Sequence, residues 1–155
     1  MRTVDLSQSP LTVTTRSPEE TEAVASRLAE ELAPGVVVCL TGDLGAGKSV
    51  FARALGAALG VEERMPSPTF TIIHEYTGTG DVPILHVDLY RISGEEEFRH
   101  LALEDLMGGA VTIVEWPDRA PELLEYARWQ VDIQITPGDD QREITLHYHD
   151  ARTRH

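Results

Sequence analysis

Eight consecutive residues carry the densest chemistry in this chain. Gly42-Asp43-Leu44-Gly45-Ala46-Gly47-Lys48-Ser49 fit the phosphate-binding pattern G-x-x-x-x-G-K-[ST]. Each residue type suits its position. Glycines let the loop wrap so that successive N–H groups face phosphate oxygens. Lys48 reaches the β- and γ-phosphates, and the Ser49 hydroxyl is an oxygen ligand for Mg²⁺. At average residue usage, a chance match in a chain this long is roughly a one-percent event or less. Lys48 is also the only lysine, against twelve arginines. A lysine stands where a compact ammonium must sit among phosphate oxygens and a planar guanidinium does not fit.

Such a loop needs an acidic residue at the end of a second strand. Two apolar runs end in one: Ile84-Leu85-His86-Val87-Asp88 and Val111-Thr112-Ile113-Val114-Glu115. By pattern alone, either carboxylate can hold the metal while the other orients an attacking water. Either can also be a solvated strand end. His86 reads as a half-buried structural histidine rather than a ligand. His147 and His149 fall on one face of the last strand, but zinc needs two further ligands that the sequence does not supply. Trp116 reads either as core or as a neighbour of the nucleotide. The Asn-Lys-x-Asp guanine reader is missing, because the chain has no Asn and no second Lys. ATP is therefore expected over GTP.

The surrounding elements must position these groups. Val36-Val37-Val38-Cys39-Leu40 reads as a buried parallel strand before the loop, and Val50–Leu59 as a helix after it with Gly60 as C-cap. Upstream, Leu11–Thr15 reads as an edge strand. Ser17-Pro18-Glu19-Glu20 reads as a helix start with a capping box, leading to Val24, Leu28 and Leu32 on one face and a stop at Pro34-Gly35. Downstream, Thr69–Tyr76 and Ile84–Asp88 flank the turn Gly78-Thr79-Gly80-Asp81 as an antiparallel hairpin. A second capping box at Ser93-Gly94-Glu95-Glu96 predicts a short helix through Phe98, Leu101 and Ala102, with one more turn at Glu104–Met107. Pro121–Tyr126 reads as a short helix. Trp129, Val131, Ile133 and Ile135 alternate with polar residues, as do Ile144, Leu146 and Tyr148. The turn Pro137-Gly138-Asp139-Asp140 joins them into a hairpin with one buried face. The sum is an α/β, P-loop NTPase-like three-layer fold: a mixed, mainly parallel central sheet with antiparallel hairpins.

At 155 residues the expectation is one domain over 1–155, with a frayed tail from about 151. The net charge of −13 and the lack of any Lys/Arg block argue against direct nucleic-acid binding. They are compatible with docking onto a basic partner. The lone Cys39 fits a reducing compartment, and no run approaches membrane-spanning length.

Four segments together resemble one family. Gly42–Ser49, Ser67-Pro68-Thr69-Phe70, His86-Val87-Asp88-Leu89-Tyr90-Arg91 and Val114-Glu115-Trp116-Pro117 are similar, in order and spacing, to the motif series of the TsaE family. The likeness covers about residues 17–146. It implies a cytoplasmic, Mg²⁺-dependent ATPase for threonylcarbamoylation of adenosine 37 in tRNAs that read codons beginning with A. Such a protein works with TsaD and TsaB, regulating or resetting that transferase, and meets tRNA only through the complex. The resemblance assigns Mg²⁺ to Ser49 and Glu115, and a position by the γ-phosphate and water to Asp88. ATP contacts fall to Asp43, Leu44, Gly45, Ala46, Gly47, Lys48, Ser49 and Val50, with Trp116 beside the nucleotide and Arg142 as a basic contact. Ser67–Phe70 resembles a switch that senses the γ-phosphate. Two other readings compete: a nucleotide-gated binding module whose hydrolysis is incidental, and a small P-loop kinase. The kinase reading lacks an Arg-rich acceptor lid, since Arg91, Arg99 and Arg119 are scattered.

Overall fold

Aliphatic and β-branched residues set the centre of the fold. Val37–Thr41 (β2) and Val111–Glu115 (β5) are strands buried on both faces, the pattern of an interior parallel pair. The structure, a computed structural model, describes residues 5–43, 45–62, 73–90, 103–119, 122–137 and 141–149. Outside these lie Leu44, the switch segment Ser67–Phe70, the start of the Thr69–Tyr76 strand, the capping box and helix at 93–102, the turn Gly138–Asp140 and the tail from 151.

The remaining elements are β1 (Leu11–Thr15), α1 (Pro18–Ala29), α2 (Lys48–Ala58), β3 (Ile73–Thr77), β4 (Pro83–Asp88), α3 (Leu103–Met107), α4 (Glu122–Tyr126), β6 (Ala127–Ile135) and β7 (Arg142–Tyr148). The seven strands form one sheet in the order β1-β7-β6-β2-β5-β4-β3. Its middle is parallel, through the β6–β2, β2–β5 and β5–β4 ladders. Antiparallel hairpins β3–β4 and β6–β7 flank it, and β1 pairs antiparallel with β7.

Strand alternation divides the core. Val38, Leu40, Ile84, Ile113, Val131 and Ile133 face α1 and α2, where they meet Val24, Leu28, Phe51 and Leu55. Val37, Cys39, Leu85, Val87 and Val114 face the other way, toward Met107 of α3 and Leu124 of α4. These are the three layers. Burial pushes the Cys39 thiol up to about 12, so it acts as a small hydrophobe.

Local expectations hold with instructive differences. Ser17 Oγ accepts the Glu20 N–H at 3.1 Å, but the Glu20 carboxylate takes the N–H of Arg16 in place of the Ser17 N–H of a standard box. Helix α1 ends at Ala29, before Pro34-Gly35. There the chain tightens into three-residue turns, Glu31 N–H to Leu28 O at 2.9 Å and Leu32 N–H to Ala29 O at 3.1 Å. Leu32 still packs on the core from this turn. Helix α2 ends in a Schellman motif. Gly60 has φ 96°, its N–H bonds Ala57 O at 3.1 Å, and Val61 N–H bonds Gly56 O at 2.9 Å. At opposite ends of the last hairpin, Ile135 beside the turn and Tyr148 at the far end are exposed despite their alternation.

Candidate functional site

Strand β2 delivers the chain to Gly42, and β6 determines why that residue is glycine. Gly42 has φ 139°, and a Cβ there would lie 2.3 Å from the Ile133 carbonyl oxygen. No other residue type tolerates that approach. One residue earlier, Thr41 Oγ1 donates to Asp132 Oδ1 at 3.0 Å, tying the start of the loop to the same strand. Gly45 (φ 85°) and Gly47 (φ 108°) are both left-handed, and Gly47 caps the start of α2. The loop thus ends at the positive end of an 11-residue helix.

Lys48 is buried. Its ammonium donates to the Gly42 carbonyl and, at 3.0 Å, to the Asp43 carbonyl. It also lies 3.8 Å from the centroid of the Trp116 ring, within cation–π range. Burial pulls the Lys48 ammonium below the usual lysine value, opposed by the carboxylates of Glu115, Asp43, Asp118 and Asp88. Trp116 is one of two described non-glycine residues with positive φ, at 61°. This conformation costs on the order of 1–3 kcal/mol, and it belongs to the residue whose ring covers the lysine. Tyr90 sits beside Trp116, ring centroids 4.9 Å apart.

Both strand-end carboxylates arrive at this edge. Asp88 and Glu115 are register partners on β4 and β5. Glu115 is buried, and its two oxygens are divided. Oε1 accepts from Ser49 Oγ at 3.0 Å, and Oε2 accepts from His86 Nε2 at 2.5 Å. Asp88 is half-buried and accepts the Tyr90 N–H at 2.9 Å. Burial raises its pKa above the usual aspartate value, the Tyr90 amide opposes that, Glu115 adds to it, and His86 and Lys48 counter it.

Arg142, at the start of β7, reaches the loop: Nε donates to the Ala46 carbonyl at 2.9 Å. Ala46 is buried, and its N–H closes a turn onto the Asp43 carbonyl at 3.0 Å. Val50 is different. It lies within α2 and lines an open groove between α1 and α2, with Pro18, Glu22 and Arg53. Leu44 and Ser67–Phe70 lie outside the described residues. Asp43, Gly45, Ala46, Gly47, Lys48, Ser49, Asp88, Glu115, Trp116 and Arg142 thus gather at the carboxyl edge of the parallel strands, where open α/β sheets bind ligands.

Two neighbours escaped sequence reasoning. His86 is fully buried and bonded to Glu115, not half-buried as expected. The available signal was its place at the head of the His86-Val87-Asp88-Leu89-Tyr90-Arg91 segment. Tyr90 lies in that same segment, which gave it no role of its own. His147 and His149 do stack, at 4.5 Å between centroids. No group of three or more His, Cys, Asp or Glu with metal-binding geometry occurs among the described residues.

The donor chemistry fits a hard cation. Ser49 hydroxyl and Glu115 carboxylate supply oxygen only, and Mg²⁺ favours a few such ligands with waters and phosphate oxygens completing the shell. The glycine loop, Lys48 and the start of α2 fit a polyphosphate.

Comparisons with known proteins converge on the same kind of molecule. The family model described as "Threonylcarbamoyl adenosine biosynthesis protein TsaE" matches residues 15–144. A tRNA threonylcarbamoyladenosine biosynthesis protein TsaE from Bacillus subtilis is 44% identical over 133 residues, 85% of this chain and 82% of the relative. The protein of that description from Streptomyces coelicolor is 40% identical over 120 residues, 76% and 81% of the two chains. A crystal structure of YdiB from Bacillus subtilis superposes with a TM-score of 0.67 at 37% identity, covering 93% of this chain and 88% of that one. No described helix is long and apolar enough to cross a membrane.

Proposed function

The chain belongs to the TsaE family of tRNA threonylcarbamoyladenosine biosynthesis, and on that premise we propose that it is a cytoplasmic Mg²⁺-dependent ATPase serving the TsaD–TsaB transferase. The observation that carries this reading is the convergence of Lys48, Ser49, Asp88 and Glu115 at one loop edge, with Ser49 bonded to Glu115. Positioning and electrostatics supply most of the catalysis in phosphoryl transfer, and these residues are the parts that such chemistry needs.

The roles follow from the contacts. On ATP binding, Lys48 exchanges the carbonyls of Gly42 and Asp43 for phosphate oxygens, and the loop amides and the start of α2 take the remaining negative charge. Ser49 and Glu115 would hold Mg²⁺, which would supply positive charge to offset that of the phosphates. Trp116 and Arg142 border the nucleotide from opposite sides of the loop. Asp88 orients a water for attack on the γ-phosphorus and accepts its proton. The new O–P bond forms as the bond from that phosphorus to the β,γ-bridging oxygen breaks, and ADP and phosphate leave. Its raised pKa suits Asp88 to this task, because a base works best with a pKa nearer the operating pH.

The surface of this acidic chain suits a partner-docked ATPase better than an RNA-gripping one, since its net charge of −13 repels a phosphate backbone. Co-purification with the TsaD–TsaB pair tests the reading. Retention on the tagged pair should depend on ATP and Mg²⁺. Retention equal with and without nucleotide, or none in either case, would sink the ATP-coupled role.

A further inference from the structure

The buried imidazole of His86 lies beneath the carboxylate edge and does no part of the chemistry above. We propose that His86 is a positioning residue for Glu115, holding one carboxylate oxygen so that the other faces Ser49 and the metal; this rests on the reading of Ser49 and Glu115 as the Mg²⁺ pair. His86 and Glu115 side chains are each 2% exposed, and their polar atoms meet at 2.5 Å. A carboxylate only accepts hydrogen bonds, so Nε2 is the protonated ring nitrogen. The two oxygens of Glu115 therefore have separate partners, His86 Nε2–H on Oε2 and Ser49 Oγ–H on Oε1.

This division matters because a glutamate has several rotatable bonds, and one partner alone leaves the carboxylate free to swing. Lys48 does not supply the second anchor, since its ammonium is engaged by the carbonyls of Gly42 and Asp43. The anchor comes instead from the neighbouring strand. His86 projects from β4 onto the same face as Asp88, so one short stretch places both the residue that holds the metal carboxylate and the residue that handles water. Partners of metal ligands commonly change metal affinity by ten- to a hundred-fold when removed.

The test compares His86→Gln, whose amide nitrogen falls near the place of Nε2, with His86→Asn, whose shorter side chain stops near Nδ1. His74→Asn serves as a control, because His74 is the register partner of His86 on β3 and makes no bond to Glu115. Mg²⁺ is titrated calorimetrically into each protein saturated with a non-hydrolysable ATP analogue, below its melting midpoint. The expected result is metal affinity within about threefold of wild type for the Gln and His74 variants. His86→Asn should be at least about tenfold weaker, with nucleotide affinity in EDTA unchanged throughout. If His86→Asn does not fold, His86→Phe, which keeps ring volume and donates nothing, takes its place. Equal affinity in the Gln and Asn variants, or an equal loss in His74→Asn, overturns the positioning role alone. A wild-type protein that binds no Mg²⁺ with the analogue overturns the metal reading, and this inference with it.

Discussion

Asp88 and Glu115 stand side by side at the ends of parallel neighbouring strands, yet their surroundings are opposite. Glu115 is buried and bonded on both oxygens. Asp88 is half-buried, accepts the Tyr90 backbone amide, and has a raised pKa caused first by burial. Such different environments suit the two roles proposed above, Glu115 as a fixed ligand and Asp88 as a proton acceptor. Asp88→Asn should therefore keep ATP affinity within a few-fold and lower the hydrolysis rate by about a hundredfold or more. Glu115→Ala should instead raise the Mg²⁺ concentration needed for half-maximal activity. Calorimetry and phosphate release measured on both variants separate the two roles.

The single lysine gives a sharper contrast. Lys48→Ala should lower ATP affinity at least about tenfold, and Lys48→Arg should not restore it. The pocket formed by the Gly42 and Asp43 carbonyls and the Trp116 face admits a compact ammonium, not a planar fork. Equilibrium dialysis with labelled ATP reads the outcome. Wild-type affinity in Lys48→Arg would show that charge alone is enough.

Nucleotide binding should also be visible in tryptophan emission. Lys48 lies on the ring of Trp116, whereas Trp129 is buried in the core beneath α1 and α2. If Lys48 turns to phosphate as proposed, the surroundings of Trp116 should change and those of Trp129 should not. ATP should alter the fluorescence of the wild type and leave Trp116→Phe unchanged at saturating nucleotide. A full signal in Trp116→Phe would assign the change to Trp129 and contradict the arrangement.

The raised pKa of Asp88 has a consequence for stability. The folded state binds a proton at Asp88 more readily than the unfolded chain does, so stability falls as pH rises from the ordinary aspartate value through the raised folded value. Asp88→Asn removes this penalty. Without nucleotide it should melt higher than wild type at neutral pH, and the gain should shrink as pH falls toward the ordinary carboxylate range. Thermal melts across that range check the sign, and a variant less stable at neutral pH would reverse it.

Glycine substitutions test how the loop is held. Gly42→Ala drives a Cβ to within 2.3 Å of the Ile133 carbonyl oxygen in a left-handed backbone and should cost at least about 1–3 kcal/mol. Gly108→Ala meets nothing within 4 Å and should fall within about 1 kcal/mol of wild type. Urea unfolding of the two variants gives both numbers.

Much of this molecule was legible from residue order. The strand before Gly42, the Gly60 cap, both carboxylate-ending strands and the two hairpins follow from apolar periodicity and turn chemistry, which are local properties. What escaped was set by neighbours across the sheet. The His86–Glu115 bond joins residues on different strands, and no spacing within either strand predicts it. The reason for Gly42 lies in the Ile133 carbonyl, far along the chain. The early end of α1 at Ala29 reflects tight turns that carry Leu32 back onto the core, where periodicity alone extends the helix. Arg142 came from a family resemblance, and its contact with Ala46 depends on how the β6–β7 hairpin folds beside the loop.

The most direct measurement is phosphate release from ATP by the purified chain, alone and with TsaD and TsaB, with Mg²⁺ present or chelated. The account predicts slow turnover, roughly below 1 s⁻¹ for a phosphate loop whose described residues offer no obvious arginine finger. That turnover should be lost on chelation and in Asp88→Asn. Turnover that is absent both alone and in the complex, or that persists undiminished without metal, would contradict it.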